Sequence, residues 1–346
     1  MLYLGLDIHC KWFTLNGFEK RTGECFYLPR VANEPEAIRE TFAALPPPRR
    51  GVMEAGTNAL ALHRVLAPYF DELLIVSPNK VWDRRRDPQA KTDRRDAFTL
   101  AQALAEGKVR GIYLPDDTLR QARSLVRGRL QVTRELTSLV NQLYALLRSW
   151  GWTVQKKALT KGGRAWLAEV TLPAQAATVL ELMLARLDLL QAQQRDLEAA
   201  ITAWAATDPI CRRLQTIPSV GPFTALVLRA EIGDIGRFKS AGALINYSGL
   251  VPRVYQSSER TRYGGLTKAG NALLRYVAVL FAQNVIRNRR DTSFKRKYYR
   301  LCHQHGPNEL KIMIARDFLA VVYSLWRMES DWQYPRPDAR ATGSVA

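Results

Sequence analysis

Asp7 closes the run Leu2-Tyr3-Leu4-Gly5-Leu6-Asp7, Glu54 follows Gly51-Val52-Met53, and Asp93 and Asp96 lie three residues apart in Lys91-Thr92-Asp93-Arg94-Arg95-Asp96. Alternate residues of a strand share a face, so the leucines of the first run point one way and Gly5 and Asp7 the other. Residues three apart on a helix also share a face, and the first turn of a helix favours negative charge. Taken singly, each acid has a plainer use: closing a strand, making a salt bridge, or complementing a helix dipole. Taken together, two strand-end acids and a pair on a helix face are hard oxygen ligands for Mg²⁺, with Mn²⁺ also fitting. Two such ions about 4 Å apart stabilise the attacking and leaving oxygens when a phosphodiester is hydrolysed or transferred. The histidines, His9, His63, His303 and His305, show no zinc-protease spacing and read as ordinary residues.

Those acids need elements to hold them. Leu2 to Ile8, Trp12 to Phe18 and Glu24 to Leu28 read as strands, with Gly23 in the turn before the third. A helix over 34–45, a strand ending at Gly51 to Glu54, a helix from Asn58 to Tyr69, a strand from Glu72 to Val76 and a helix from Thr92 to Glu106 follow. A meander of antiparallel strands followed by alternating helices and strands is the ribonuclease H-like order, and residues 1–112 are expected to form such a mixed-sheet α/β domain.

Residues 113–208 read as a long helical, coiled-coil hairpin. Val132, Leu136, Leu139, Leu143, Leu146 and Trp150 step by four and three, as do Leu180, Met183, Leu187, Leu190, Gln194, Leu197, Ile201 and Trp204. Two such helices pair with each other or with a second protomer. The loop between them carries Lys156, Lys157, Lys161 and Arg164 around Gly162 and Gly163 and reads as a basic tip or a solvated turn. Residues 209–332 read as mostly helical and begin with a short helix, the turn Ile217-Pro218-Ser219-Val220-Gly221 and a second helix starting at Pro222. This resembles a helix-hairpin-helix, in which backbone N–H groups at a helix N-terminus meet a phosphate, although an ordinary helix junction has the same letters. From Pro252 to Arg300, twelve Lys and Arg stand against Glu259 and Asp291, interleaved with Tyr255, Tyr263, Tyr276, Phe294, Tyr298 and Tyr299. That mixture suits phosphate contacts and base stacking. Residues 333–346 read as a disordered tail.

The whole chain points to a polyanionic partner. Its 346 residues carry a net charge of +19 and a pI near 10.1, which draws nucleic acid first and an anionic membrane surface second. A dense basic run, Lys80, Arg84, Arg85, Arg86, Lys91, Arg94 and Arg95, adjoins the acids. No apolar stretch approaches the ~18 residues of a membrane span, and the N-terminus opens into a strand rather than a signal peptide, so a cytoplasmic protein is expected. Cys10, Cys25, Cys211 and Cys302 have neither disulfide nor zinc spacing and read as reduced, mostly structural thiols.

Gly5-Leu6-Asp7, Met53-Glu54-Ala55-Gly56-Thr57, Lys91 to Ala97, Ile217 to Gly221, Gly249-Leu250-Val251-Pro252 through Ser257, and Gly264-Gly265-Leu266-Thr267-Lys268-Ala269-Gly270-Asn271 agree in order and spacing with one family. In them the chain resembles, from residue 2 to residue 330, the DEDD-class insertion-sequence transposases, the recombinases guided by a bridge RNA, with the pilin-gene DNA invertases as relatives. The resemblance implies a RuvC-like domain whose Asp7, Glu54, Asp93 and Asp96 bind Mg²⁺, and a C-terminal transposase domain in which Ser257 is the nucleophile. A serine hydroxyl needs activation at neutral pH, which a nearby metal ion can supply. The family usually has Gly after that serine; here Ser258 follows and is an alternative, while Ser248 reads better as a packed turn residue. Acids and serine fall in different domains, so the resemblance implies a composite site completed between protomers and a dimer or tetramer. It also implies a partner invisible to composition, a noncoding bridge RNA that pairs with target and donor double-stranded DNA while the protein reads backbone shape. Lys80, Arg84, Arg85, Arg86, Lys91, Arg94, Arg95, Gly221, Arg253, Arg260, Arg262, Lys268 and Arg275 are the expected nucleic-acid contacts.

Three functions fit these residues. A site-specific DNA recombinase would conserve each broken phosphodiester in a phosphoserine link and need no nucleotide-binding loop of the Gly-rich Lys type, which the sequence lacks. A junction-resolving nuclease would use the same acids with water as nucleophile. A non-enzymatic nucleic-acid-binding protein would keep the acids as structural groups.

Overall fold

The computed structural model describes residues 1–77, 92–154, 157–257 and 260–333, with the backbone alone at 254–257 and 260–263. The chain forms two compact units, Met1–Leu114 and a second beginning at Pro115.

The first unit is a five-stranded mixed sheet with helices on both faces. Strands β1 (Leu2–Ile8), β2 (Trp12–Glu19) and β3 (Cys25–Ala32) form the antiparallel meander, and β4 (Arg49–Glu54) and β5 (Glu72–Val76) add in parallel beside β1, in the order β3-β2-β1-β4-β5. The β3 strand runs past the expected end at Leu28 although it contains Pro29, because it lies at the sheet edge where a missing N–H costs little. Helices α1 (Pro35–Ala43) and α2 (Ala59–Leu66) cover one face, where Ile38, Phe42, Leu62 and Leu66 meet Leu2, Leu4, Leu6, Phe13 and Leu15. The helix expected to reach Tyr69 becomes a tighter 3₁₀ turn at Ala67–Tyr69, where Pro68 removes a helix donor. Helix α3 (Asp93–Ala105) covers the other face, packing Leu100 and Leu104 against Tyr3, Val52 and Val76.

The second unit is helical with one small hairpin of strands. Helices α4 (Asp117–Ser149) and α6 (Ala174–Thr207) have 33 and 34 residues. They pair along Leu136, Leu139, Leu187 and Leu190, and a short helix α5 (Lys161–Ala168) closes the tip. The buried seam of α4 continues at Leu147, while Leu146 is half-buried and Trp150 is exposed, which corrects the expected register. A 3.6-residue helix drifts against a 3.5-residue repeat, and at this point Trp166 and Leu167 of α5 take over the contact. The base of the hairpin, through Ala122, Val126, Ile201 and Ala205, belongs to the main core. That core also holds α7 (Pro209–Leu214), α8 (Pro222–Ile232), α9 (Ala241–Ser248), α10 (Ala272–Arg287), α11 (Ser293–Leu301) and α12 (Pro307–Arg327). At its centre Phe281 and Phe318 stack with ring centroids 3.8 Å apart. Strands β6 (Pro252–Ser257) and β7 (Arg260–Leu266), absent from the sequence reading, pair antiparallel between α9 and α10. Among the described residues no helix is long and apolar enough to cross a membrane.

Candidate active site

Two small features bring α3 down onto the sheet. A Cβ at Gly5 would lie 1.8 Å from the Ala97 carbonyl oxygen, so a glycine there is what lets the helix backbone rest on β1. Directly across the ladder from Gly5, buried Asn16 donates from Nδ2 to the Arg94 carbonyl at 2.8 Å and pins the first turn of α3. Thr92 caps that turn, its Oγ1 accepting from the Arg95 N–H at 3.3 Å. Asp93 and Asp96 are thereby carried to the end of β1 where Asp7 stands, beside Glu54 at the end of the neighbouring β4.

Asp7 lies in the field of the other three acids. Burial pushes the Asp7 carboxyl above its ordinary range, and the charges of Asp93, Asp96 and Glu54 push it the same way, against a lowering by His9. Carboxylate oxygens at one half-buried group suit a divalent cation, and of the four acids Asp7 and Asp93 come within reach of a shared ion. His9, read from the sequence as an ordinary residue, belongs to this cluster: its Nε2 lies 3.2 Å from Asp93 Oδ2 and 3.5 Å from Asp7 Oδ2. Ligand atoms of Asp7, His9 and Asp93 all fall within 4.8 Å of one another. The alternation that puts Gly5 and Asp7 on one strand face reaches His9 two residues later, and that signal was open to the sequence reading. His63 instead meets the Leu73 carbonyl at 3.0 Å, and His305 pairs with Glu309 at 3.0 Å.

Of the basic residues near the acids, Arg94 is exposed and lies over the Tyr27 ring, 4.5 Å from its centroid. Arg95 is exposed on the same turn; Lys80, Arg84, Arg85, Arg86 and Lys91 lie outside the described residues. The basic tip of the hairpin is not an open turn: Gly162 and Gly163 sit within α5, which Thr160 caps, and Arg164 folds back onto Asp188 and Gln191 of α6. A Cβ at Gly163 would lie 1.9 Å from the Lys157 carbonyl oxygen, so this glycine serves close packing rather than a bend.

Ser257 is the last residue of β6, in register with Arg260 on β7; Ser258 lies outside the described residues. Arg260 and Arg262 both lie on β7, and Arg253, near the start of β6, is exposed. The stem of this hairpin is tied down. Arg275 Nη1 donates to the Ser248 and Lys268 carbonyls at 2.9 and 3.2 Å, and the Asn271 N–H donates to the Tyr247 carbonyl at 2.7 Å. Ser248 is buried and donates to the Ile245 carbonyl at 2.6 Å. Lys268 is exposed, Gly221 caps α8 with open space around its Cα, and Phe294 is buried against Phe281 and Trp332 rather than offered for stacking on a base. A further group escaped the sequence reading: Glu231 of α8, 2% exposed, accepts from Arg127 Nη2 at 3.0 Å and from Asn271 Nδ2 at 2.6 Å. It joins α4 to the N-cap of α10.

Residues 4–151, which include all four acids, match a DEDD transposase family model of the IS110 group, and residues 211–300, which include Ser257, match the model described as transposase IS116/IS110/IS902 family. The chain is 29% identical over 265 residues to the putative transposase y4qE of Sinorhizobium fredii, covering 75% of this chain and 65% of that one. It is 27% identical to the transposase for insertion sequence element IS1111A of Coxiella burnetii, covering 93% of this chain and 88% of the relative. A probable family 20 transposase of Pseudomonas aeruginosa is 26% identical, with 94% and 97% covered. The chain belongs to the DEDD-class insertion-sequence transposases of the IS110 family, enzymes that act on DNA.

Proposed function

We propose that this protein is a site-specific DNA recombinase that cuts and rejoins strands at element and target sites, guided by a noncoding bridge RNA and working as a dimer or tetramer. The observation that carries the reading is the convergence of Asp7, Glu54, Asp93 and Asp96 at two adjacent strand ends and one helix turn. The order of the sheet, three antiparallel strands followed by two parallel ones, supports a RuvC-like assignment for residues 1–112. The acids would hold Mg²⁺, or Mn²⁺, which when bound stabilises charge on the attacking and leaving oxygens. Residues 113–208 would serve association of protomers and residues 209–332 the transposase domain.

Ser257 is the nucleophile in this reading. Its Oγ forms a bond to phosphorus as the strand's own P–O bond breaks; the serine proton is given up and the leaving sugar oxygen takes one. Rejoining runs the exchange in reverse, so no nucleotide need be hydrolysed. Exposed Arg94, Arg95, Arg253 and Lys268 suit phosphate contacts that fix the register of the strands without reading their sequence, and Arg260 and Arg262 on β7 would add to them.

The test is strand cleavage and rejoining on DNA carrying the element junction, with the co-encoded RNA and Mg²⁺. Asp7→Asn and Asp93→Asn should each lower the rate at least 100-fold, and a chelator should abolish it. Activity that survives both substitutions would show that the acids are structural.

A further inference from the structure

We propose that His9 is a nitrogen ligand of the metal centre and that it biases this centre toward divalent transition-metal ions over Mg²⁺. The inference rests on the metal-binding reading of the acids and goes beyond it, because a nitrogen donor discriminates against Mg²⁺ more strongly than carboxylate oxygens alone do.

His9 is held from several directions. Its backbone N–H donates to the Trp12 carbonyl at 2.9 Å, closing the turn between β1 and β2. Asn33 Nδ2 donates to the His9 carbonyl at 3.1 Å, and the ring packs on Trp12 with centroids 5.3 Å apart. So placed, Nε2 faces Asp7 Oδ2 and Asp93 Oδ2 at 3.5 and 3.2 Å, one atom from β1 and one from α3. The three ligand atoms, mutually within 4.8 Å, come close enough to share one ion without moving an element of the fold. The Nε2 approach to two carboxylates also has a plainer use, in which a hydrogen bond steadies the acids and the ring never touches the metal. The two uses differ in one respect. A steadying residue supports every divalent ion alike, whereas an imidazole ligand favours ions that accept nitrogen: Mg²⁺ keeps oxygen ligands and water, and affinity for a nitrogen donor rises from Mn²⁺ to Co²⁺. The His9 side chain is 35% exposed, so the mouth of the cluster is open to an entering ion.

Metal binding by the full-length chain, without DNA or RNA, tests this. Calorimetric titrations with Mg²⁺, Mn²⁺ and Co²⁺ would be run on wild type, His9→Ala and Asp7→Asn, with pulsed electron paramagnetic resonance of the Mn²⁺ complexes. Loss of even an outer partner of a ligand costs roughly 10–100-fold in affinity, so His9→Ala should weaken Mn²⁺ and Co²⁺ at least tenfold and leave Mg²⁺ within about twofold. Wild type should show ¹⁴N modulation on Mn²⁺ that His9→Ala lacks. Equal weakening of all three ions, or no nitrogen signal in wild type, would overturn the inference and leave the acids as the metal centre, provided Asp7→Asn still abolishes binding. Metal binding that Asp7→Asn leaves intact would overturn both.

Discussion

Asp7 shows what one residue of this site costs the fold and how that cost is offset. Its carboxyl is half-buried and faces three other acids, so its folded-state pKa is raised. The unfolded chain gives up this proton near the ordinary value of 3.8, and the folded chain does so at higher pH. Between the two the folded state holds the extra proton, so metal-free protein loses stability as pH rises through that window. Asp7→Asn carries no charge and escapes the loss. In a chelator it should therefore unfold at a higher temperature than wild type at pH 7 and show no such advantage at or below pH 3.8, while added Mg²⁺ should stabilise wild type alone; scanning calorimetry at several pH values checks all three. The acids themselves were legible, since alternation along β1 and a three-residue step on a helix place charged groups on defined faces. His9 obeyed the same alternation and was passed over because it lacked a familiar ligand motif. Glu231 had a signal too, as the lone acid in the apolar run Leu226 to Ile232, but its partners Arg127 and Asn271 are distant in sequence and only the fold brings them together.

At the scale of elements, the site depends on how closely α3 approaches the sheet. Gly5→Ala places a methyl group inside the Ala97 carbonyl, which overpacks by about 1–3 kcal/mol or more and pushes the first turn of α3 away from Asp7. Denaturant unfolding should show that loss, and calorimetry should show metal affinity falling at least tenfold although no ligand has changed. In the second unit, Glu231→Ala should destabilise by roughly 3 kcal/mol, the low end for breaking a buried pair because Arg127 is reached by solvent. The strands and helices of the first unit were legible within a few residues because apolar periodicity and turn residues agree there. The β6–β7 hairpin was not. Its β-branched and aromatic residues are interspersed with arginines, so charge drew the reading toward a nucleic-acid surface and away from a strand pair. The tip of the long hairpin was misread for the opposite reason, since paired glycines suggested a turn where Gly163 instead lets a capped helix pack.

For the whole molecule, a net charge of +19 sets how it meets its substrate. Each phosphate neutralised releases counterions, so affinity for duplex DNA should fall steeply with salt, by roughly a thousandfold between 50 and 200 mM if six or more phosphates are contacted. Fluorescence anisotropy across a salt series measures the slope. A shallow slope would mean that the charge is spread over surfaces that never touch DNA. Composition made the polyanionic partner legible, but charge is blind to the difference between DNA and a guide RNA, and no single residue pattern encodes strand transfer. The claim that joins the halves of the chain is that Ser257 becomes covalently attached to DNA. Purified protein, the co-encoded RNA, Mg²⁺ and labelled junction DNA, resolved on a denaturing gel, test it directly. A protein-linked DNA band in wild type that vanishes in Ser257→Ala is the expected result, while free cut ends that persist in Ser257→Ala would contradict it and identify a nuclease that uses water.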